Sequence, residues 1–189
     1  MGQVYRMKLS ENARLYSYEE SILSRYGREL FIPMSIVRDD SGEYIDYLLD
    51  GFVPIERYKF SGLGSVFNVL KSLVEFYISI QRHMLDPLRF FSDKYNILVR
   101  CENGRAVPLF GRERNYYNDT NLEILCDEEA DLVLPIVLEL SRLNEVVCAK
   151  DAMESVYNKI RGSNPGFKDI LRIVRDTQRE WSIILPTGF

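Results

Sequence analysis

The spacing of apolar residues changes once in this chain, at Leu63, and no other feature constrains the fold as much. From there Val66, Phe67, Leu70, Leu73, Val74, Tyr77 and Ile78 fall on one stripe, which predicts an amphipathic helix of roughly 20 residues. It ends near His83, ahead of Asp86-Pro87.

Before the change the period is two. Val4 to Leu9 alternates and suits an opening strand. Ser17 precedes a short helical stretch to Tyr26, acidic early and with Arg25 late, as the helix dipole prefers, and Gly27 stops it. Phe31 to Val37 and Tyr44 to Leu49 flank Asp39-Asp40-Ser41-Gly42, a hairpin pattern. After the long helix, Asn96 to Arg100 and Arg105 to Leu109 flank Glu102-Asn103-Gly104, a second one. The remainder reads as helical. Glu128 to Arg142 is kinked or begun by Pro135. Ala149 to Ile160 is ended by Gly162, and Pro165 opens a last helix as its first residue. Phe167, Ile170, Leu171, Val174 and Trp181 form that helix's apolar face.

Composition removes whole classes of function. At 189 residues the chain suits one domain, built as two lobes. With 46% hydrophobic and 28% charged residues it is not a disordered sequence. The net charge of −4 supplies no basic field to recruit nucleic acid. Cys101, Cys126 and Cys148 are odd in number and widely separated, which supports neither a disulfide framework nor a zinc site and points to a reducing, cytoplasmic setting. Apolar stretches such as Leu132 to Leu138 run to about seven residues against the roughly 20 needed to span a bilayer, so no direct membrane span is expected.

Few residues carry chemistry. Gly62-Leu63-Gly64 lacks the third glycine of a dinucleotide fingerprint and reads as a linker and helix start. His83, the sole histidine, stands three residues before Asp86. The pair has the composition of an oriented general base, although no nucleophile elbow accompanies it. The other reading is that His83 caps or packs the end of the long helix. Lys168, Arg172, Arg175 and Arg179 share a face of the last helix and suit phosphates or an acidic partner, but Asp169, Asp176 and Glu180 are interleaved and can neutralise them. Glu102 to Asp131 holds eight acids against three arginines, a local charge of −5. A magnesium role for Asp131 would need carboxylates from distant segments to converge on it. Arg112, Arg114, Tyr116 and Tyr117 combine the residue types enriched at interface hot spots.

The order of elements, a small β-rich lobe with one helix, a long helix, a polar loop, a hairpin and then helices, resembles a protein kinase. His83-Met84-Leu85-Asp86 stands near the catalytic-loop position, one residue too long and without its arginine, and Asn96 follows Asp86 by ten residues rather than five. Leu109-Phe110-Gly111 occupies the Asp-Phe-Gly position with leucine for the metal ligand. Asp131 to Leu140 is similar to the buried helix that follows the activation segment. Residues 1–15 hold no glycine-rich loop, and Lys8 is the one early candidate for the strand lysine. With Tyr47 to Ile55 and His83 to Phe91 as the nearest matching phrases, the layout is similar to a bacterial domain found ahead of forkhead-associated domains and to the cytoplasmic pseudokinase domain of type VII secretion subunits.

The expected fold is therefore α+β: a β-rich N-terminal lobe over residues 1–60 and a mostly helical C-terminal lobe over 61–189 containing a hairpin, together one minimal kinase-like domain. The resemblance implies a non-catalytic scaffold or regulatory interaction domain of a bacterial signalling or secretion system. It would be cytoplasmic, without cofactor, and would bind a protein partner at a membrane-associated complex. Two alternatives stand beside it: an atypical nucleotide-dependent phosphotransferase using Asp86 with acids near Asp131, and an unrelated α+β interaction domain.

Overall fold

The computed structural model describes residues 3–27, 30–113 and 128–184, which form five helices and two small antiparallel sheets. Strand β1 (Val4–Lys8) leads through a single helical turn to helix α1 (Ser17–Tyr26), and strands β2 (Met34–Asp39) and β3 (Gly42–Leu48) follow as a hairpin. The first sheet has the order β1-β3-β2. Its register runs from Val4 opposite Leu48 to Lys8 opposite Tyr44 on one side of β3, and from Met34 opposite Tyr47 to Asp39 opposite Gly42 on the other. Asp39 closes the hairpin, its Oδ1 accepting the backbone N–H of Ser41 at 2.8 Å.

Strand β2 begins at Met34 rather than at Phe31. Pro33 has no N–H to give a ladder, and only its carbonyl is used, accepting from Leu48. Phe31 and Ile32 instead turn fully into the core.

Strand β4 (Phe52–Pro54) carries no sequence signal: three residues are too few to show alternation, and one is proline. It lies ahead of residue 60, yet it pairs with β5 (Ile97–Arg100), which pairs in turn with β6 (Ala106–Pro108), giving the order β4-β5-β6. The β5–β6 turn closes at Gly104, whose φ of +70° is costly for any residue with a Cβ.

Between the sheets runs α2 (Leu63–Arg82). Every residue of the expected stripe is buried, and Val69, Phe76 and Ile80 are buried as well. The helix is wrapped rather than half covered because β6, α3 (Glu128–Ser141) and α5 (Phe167–Ile184) pack on different sides of it. Among the described residues α2 is the one helix long and apolar enough to cross a membrane, and half of that window is buried in the fold. A count of uninterrupted apolar residues misses it because Lys71 and Glu75 break the run.

The helical part departs from the sequence reading at its boundaries. Pro135 neither begins α3 nor ends it; it lies inside, on an exposed position. Helix α4 (Ala149–Ser163) passes through Gly162 and stops at Asn164, which takes the left-handed conformation and donates its N–H to the Ile160 carbonyl. Helix α5 starts at Phe167, two residues past Pro165. The Gly166 carbonyl receives the first helical bonds, and the Phe167 N–H donates to Glu129 of α3 at 2.5 Å. Glu129 also accepts from Gln81 of α2 at 2.8 Å, so one carboxylate holds three helices.

The buried apolar residues form one continuous cluster from Leu9 to Val174. Its centre is a chain of rings: Phe31 against Phe76 and Phe90, Phe76 against Phe90 at 5.1 Å, Phe90 against Phe110 at 5.2 Å, and Tyr77 stacked on Phe167 at 5.0 Å. Edge-to-face and stacked pairs add to what area burial supplies. Phe76→Ala, at the crossing of this chain, is expected to cost about 3–5 kcal/mol in urea unfolding, the range for truncating a fully buried phenylalanine. A cost under about 1 kcal/mol would mean that the site collapses around the void.

Candidate functional site

The turn Pro87–Arg89 that follows α2 delivers Arg89 into the interior, where both it and Glu19 of α1 have side chains only 1% exposed. The Arg89 Nε–H donates to Glu19 Oε1 at 3.0 Å. Its Nη2 donates to the Ala13 carbonyl at 2.8 Å, and its Nη1 donates to the Arg112 carbonyl. The guanidinium lies 4.7 Å from the Phe110 ring centre. In return, the Arg89 carbonyl accepts the N–H groups of Gly111 and Arg112. Glu19 Oε2 is used as well, accepting the Tyr16 N–H at 2.8 Å at the start of α1. A buried charge is tolerated only with this degree of pairing.

This anchor pulls the segment after β6 against the first sheet. The Tyr47 hydroxyl donates to the Phe110 carbonyl at 2.6 Å, and burial pushes the phenol far above its usual range. Gly111 has a φ of +123°, and a Cβ there would stand 2.9 Å from Met7 Sδ and 3.0 Å from Leu9. The conformation therefore favours glycine at 111, and a Cβ would also have to displace the Met7 and Leu9 side chains.

Where these segments part, a cleft of about 560 Å³ opens, within the size range of ligand pockets. Tyr5, Met7, Lys8 and Ser10 form one wall; Phe91, Asn96, Gly111, Arg112 and Glu113 form the other. The Lys8 ammonium rests 5.7 Å from the Tyr44 ring centre. The Asn96 amide donates to both oxygens of Asp93, at 3.1 and 2.9 Å.

The residues singled out from the sequence scatter. His83 is the C-cap of α2: its Nδ1 lies 2.8 Å from the Ser79 carbonyl and its ring meets Tyr26 edge-on at 4.5 Å. Asp86 turns the other way and caps the turn Pro87–Arg89, accepting the Leu88 N–H at 2.9 Å. The two side chains are thus engaged separately. Asp131 is exposed on α3, and among the described residues no three His, Cys, Asp or Glu side chains converge. Arg112 belongs to the cleft; Arg114, Tyr116 and Tyr117 lie outside the described residues. Arg172, Arg175 and Arg179 line a shallow groove of about 400 Å³ along α5 with Lys168. Each pairs with an acid: Asp169 at 2.8 Å, Glu75 of α2 at 3.0 Å and Asp176 at 3.4 Å.

Arg89 and Glu19, which organise the site, are the residues that sequence reasoning missed. They stand 70 positions apart, and although Arg89 lies within the phrase His83 to Phe91, nothing in the sequence points from it to Glu19.

No family model matches this chain, and no curated protein matches it.

Arg89→Met is expected to destabilise the fold by about 3–5 kcal/mol, because it removes the guanidinium paired with the buried Glu19 carboxylate. Adding Glu19→Gln to that variant should recover a large part of the loss, and a double-mutant cycle in chemical denaturation reads the coupling directly. Additive costs would show that the two side chains are not partners.

Proposed function

We propose that this chain is a kinase-like domain that does not transfer phosphate and works as a scaffold or regulatory interaction module. The observation that carries the reading is where Glu19 and Lys8 go. In a protein kinase a lysine on an N-lobe strand pairs with a glutamate on the N-lobe helix, and that pair holds the nucleotide phosphates. Here Glu19 of α1 is bound on one oxygen by Arg89 and on the other by the Tyr16 N–H. Lys8 at the end of β1 rests over Tyr44 instead.

The lower wall of the cleft supports the same reading. In the kinase pattern the catalytic aspartate stands five residues before the metal-binding asparagine. Counted back from Asn96, which lines the cleft, that position holds Phe91 and not Asp86. This register places Leu109-Phe110-Gly111 with leucine where the metal ligand belongs, and Leu109 and Phe110 are core residues, 2% and 1% exposed. Phosphoryl transfer depends on positioning and charge neutralisation rather than covalent chemistry of the protein. A phenylalanine, a leucine and a sequestered glutamate at those positions supply neither.

The association with a bacterial signalling or secretion system, at a membrane-associated complex, rests on the resemblance in layout alone. The phosphotransferase alternative asks Asp86 to act, and that carboxylate is engaged as a cap.

The test is incubation of the purified chain with magnesium and γ-labelled ATP, alone and with a general protein acceptor, alongside thermal melts. No label transfer and an unchanged melting midpoint are expected. Transfer that disappears in Lys8→Met, or a midpoint rise of several degrees that disappears in Asp86→Ala, would overturn the reading.

A further inference from the structure

Among the described residues strand β1 is paired on one side only, because the first sheet has the order β1-β3-β2. Leu49 donates its N–H to the Gln3 carbonyl and Leu9 donates to the Glu43 carbonyl, each at 2.9 Å. Odd-numbered residues of this stretch therefore turn their backbone groups toward β3. In an antiparallel ladder the alternate residues turn theirs outward, so Val4, Arg6 and Lys8 present N–H and C=O along the open edge. The strand holds no proline, and all of it but half-buried Met7 is exposed. Such an edge is a template for another strand.

The side chains say what kind of strand would fit. On the outer face stand Val4, Arg6 and Lys8, the last of which also borders the cleft: Arg6 reaches Asp46 at 2.6 Å, and both cations lie beside the Tyr44 ring. On the other face Tyr5 and Met7 line the cleft, Tyr5 stacked on Tyr47. A second copy paired about a two-fold axis at Arg6 would set Arg6 against Arg6 and crowd both copies of Lys8 onto the same face. Like charges directly opposite destabilise a ladder. Arg6 is already shared with Asp46 of β3, whereas Lys8 has no acid partner among the described residues, so an acid set opposite Lys8 is attracted.

We propose that the β1 edge receives an extended segment of another protein whose side chains alternate between acidic and apolar. The acids would face Arg6 and Lys8, and the apolar residues would face Tyr5 and Met7 and roof the cleft. This names the contact surface of the interaction module described above, and strand order and charge carry it whether or not the cleft turns over nucleotide.

The probe is a capped eight-residue peptide alternating glutamate and valine, titrated into the whole chain, against one alternating lysine and valine. The acidic peptide should bind at least tenfold tighter. It should slow amide exchange at Val4, Arg6 and Lys8 at least tenfold, leaving Tyr5 and Met7, already bonded to β3, unchanged. Arg6→Pro removes the central outward N–H and no bond to β3, and should abolish binding. Should that variant fail to fold, Arg6→Glu with Lys8→Glu carries the result by inverting the preference between the peptides. Equal binding of the two peptides, or none at millimolar concentration, overturns the proposal. Slow exchange at Val4, Arg6 and Lys8 in the peptide-free chain overturns it as well. It would mark a second copy on the edge if it depends on protein concentration, and residues 114–127 of this chain if it does not. Label transfer from ATP is read separately, so either reading can fail without the other.

Discussion

A guanidinium in the interior needs partners on every side, and the way Arg89 finds them sets the relation between the two halves of this protein. Glu19 comes from α1, the Ala13 carbonyl from the turn after β1, and the Arg112 carbonyl from the segment that leaves β6. Two stretches far apart in the chain, residues 13–19 and the segment at Arg112, are thereby fixed around one planar fork of donors, which suits arginine and would not suit lysine. A buried pair of this kind adds little net stability over a well-packed apolar pair, and its stronger effect is to penalise every arrangement that leaves a charge unmatched. Here the penalised arrangements are those in which α1 is docked elsewhere, or in which the segment after β6 swings away from β1.

The aromatic chain and the arginine anchor act on the same joint. Phe31, Phe76, Phe90 and Phe110 bring the loop before β2, the core helix α2 and the end of β6 together by burial. Burial is not directional, so rings alone would tolerate sliding. The bonds from Tyr47 to the Phe110 carbonyl and from Arg89 to the Arg112 carbonyl fix the register of that packing. The cleft is the space left where the two halves diverge beyond this joint. Its walls are consequently held by the core, and its chemistry is that of the few side chains lining it: one lysine, one arginine, one glutamate, one serine, one asparagine, one methionine and two aromatic rings. Among the described residues the same joint leaves β1 with a free side, next to the cleft that Tyr5 and Met7 line.

Much of the fold is legible in local pattern. The stripe of α2, both hairpins and the apolar face of α5 appear where periodicity and turn residues put them, because each is a consequence of neighbours within a few residues. Boundaries were less legible: Gly162 is tolerated inside α4, and Pro165 stands outside α5 because the Gly166 carbonyl and Glu129 start that helix. Strand β4 was illegible since its only qualification is its partner, β5. The candidate site was less legible still. His83 and Asp86 are close in sequence, but the turn that ends α2 gives each its own backbone partner.

What the sequence by itself determined is the inventory: a mixed α+β chain with one long apolar helix, two hairpins, a basic stripe interleaved with acids on the last helix and no strong catalytic motif. The interleaved acids of α5 foretold the pairs of Arg172 and Arg179, because ion pairs three residues apart on a helix are local, whereas Arg175 pairs with Glu75 of α2, 100 residues away. Only the tertiary structure decided that Arg89 and Glu19 are the anchor, that Phe91 and not Asp86 lines the cleft with Asn96, and that among the described residues β1 keeps an unpaired edge. Each of these depends on which distant segments meet. A contact across 70 residues is selected by the sum of burial, pairing and closure over the whole chain, and no spacing within it records the outcome.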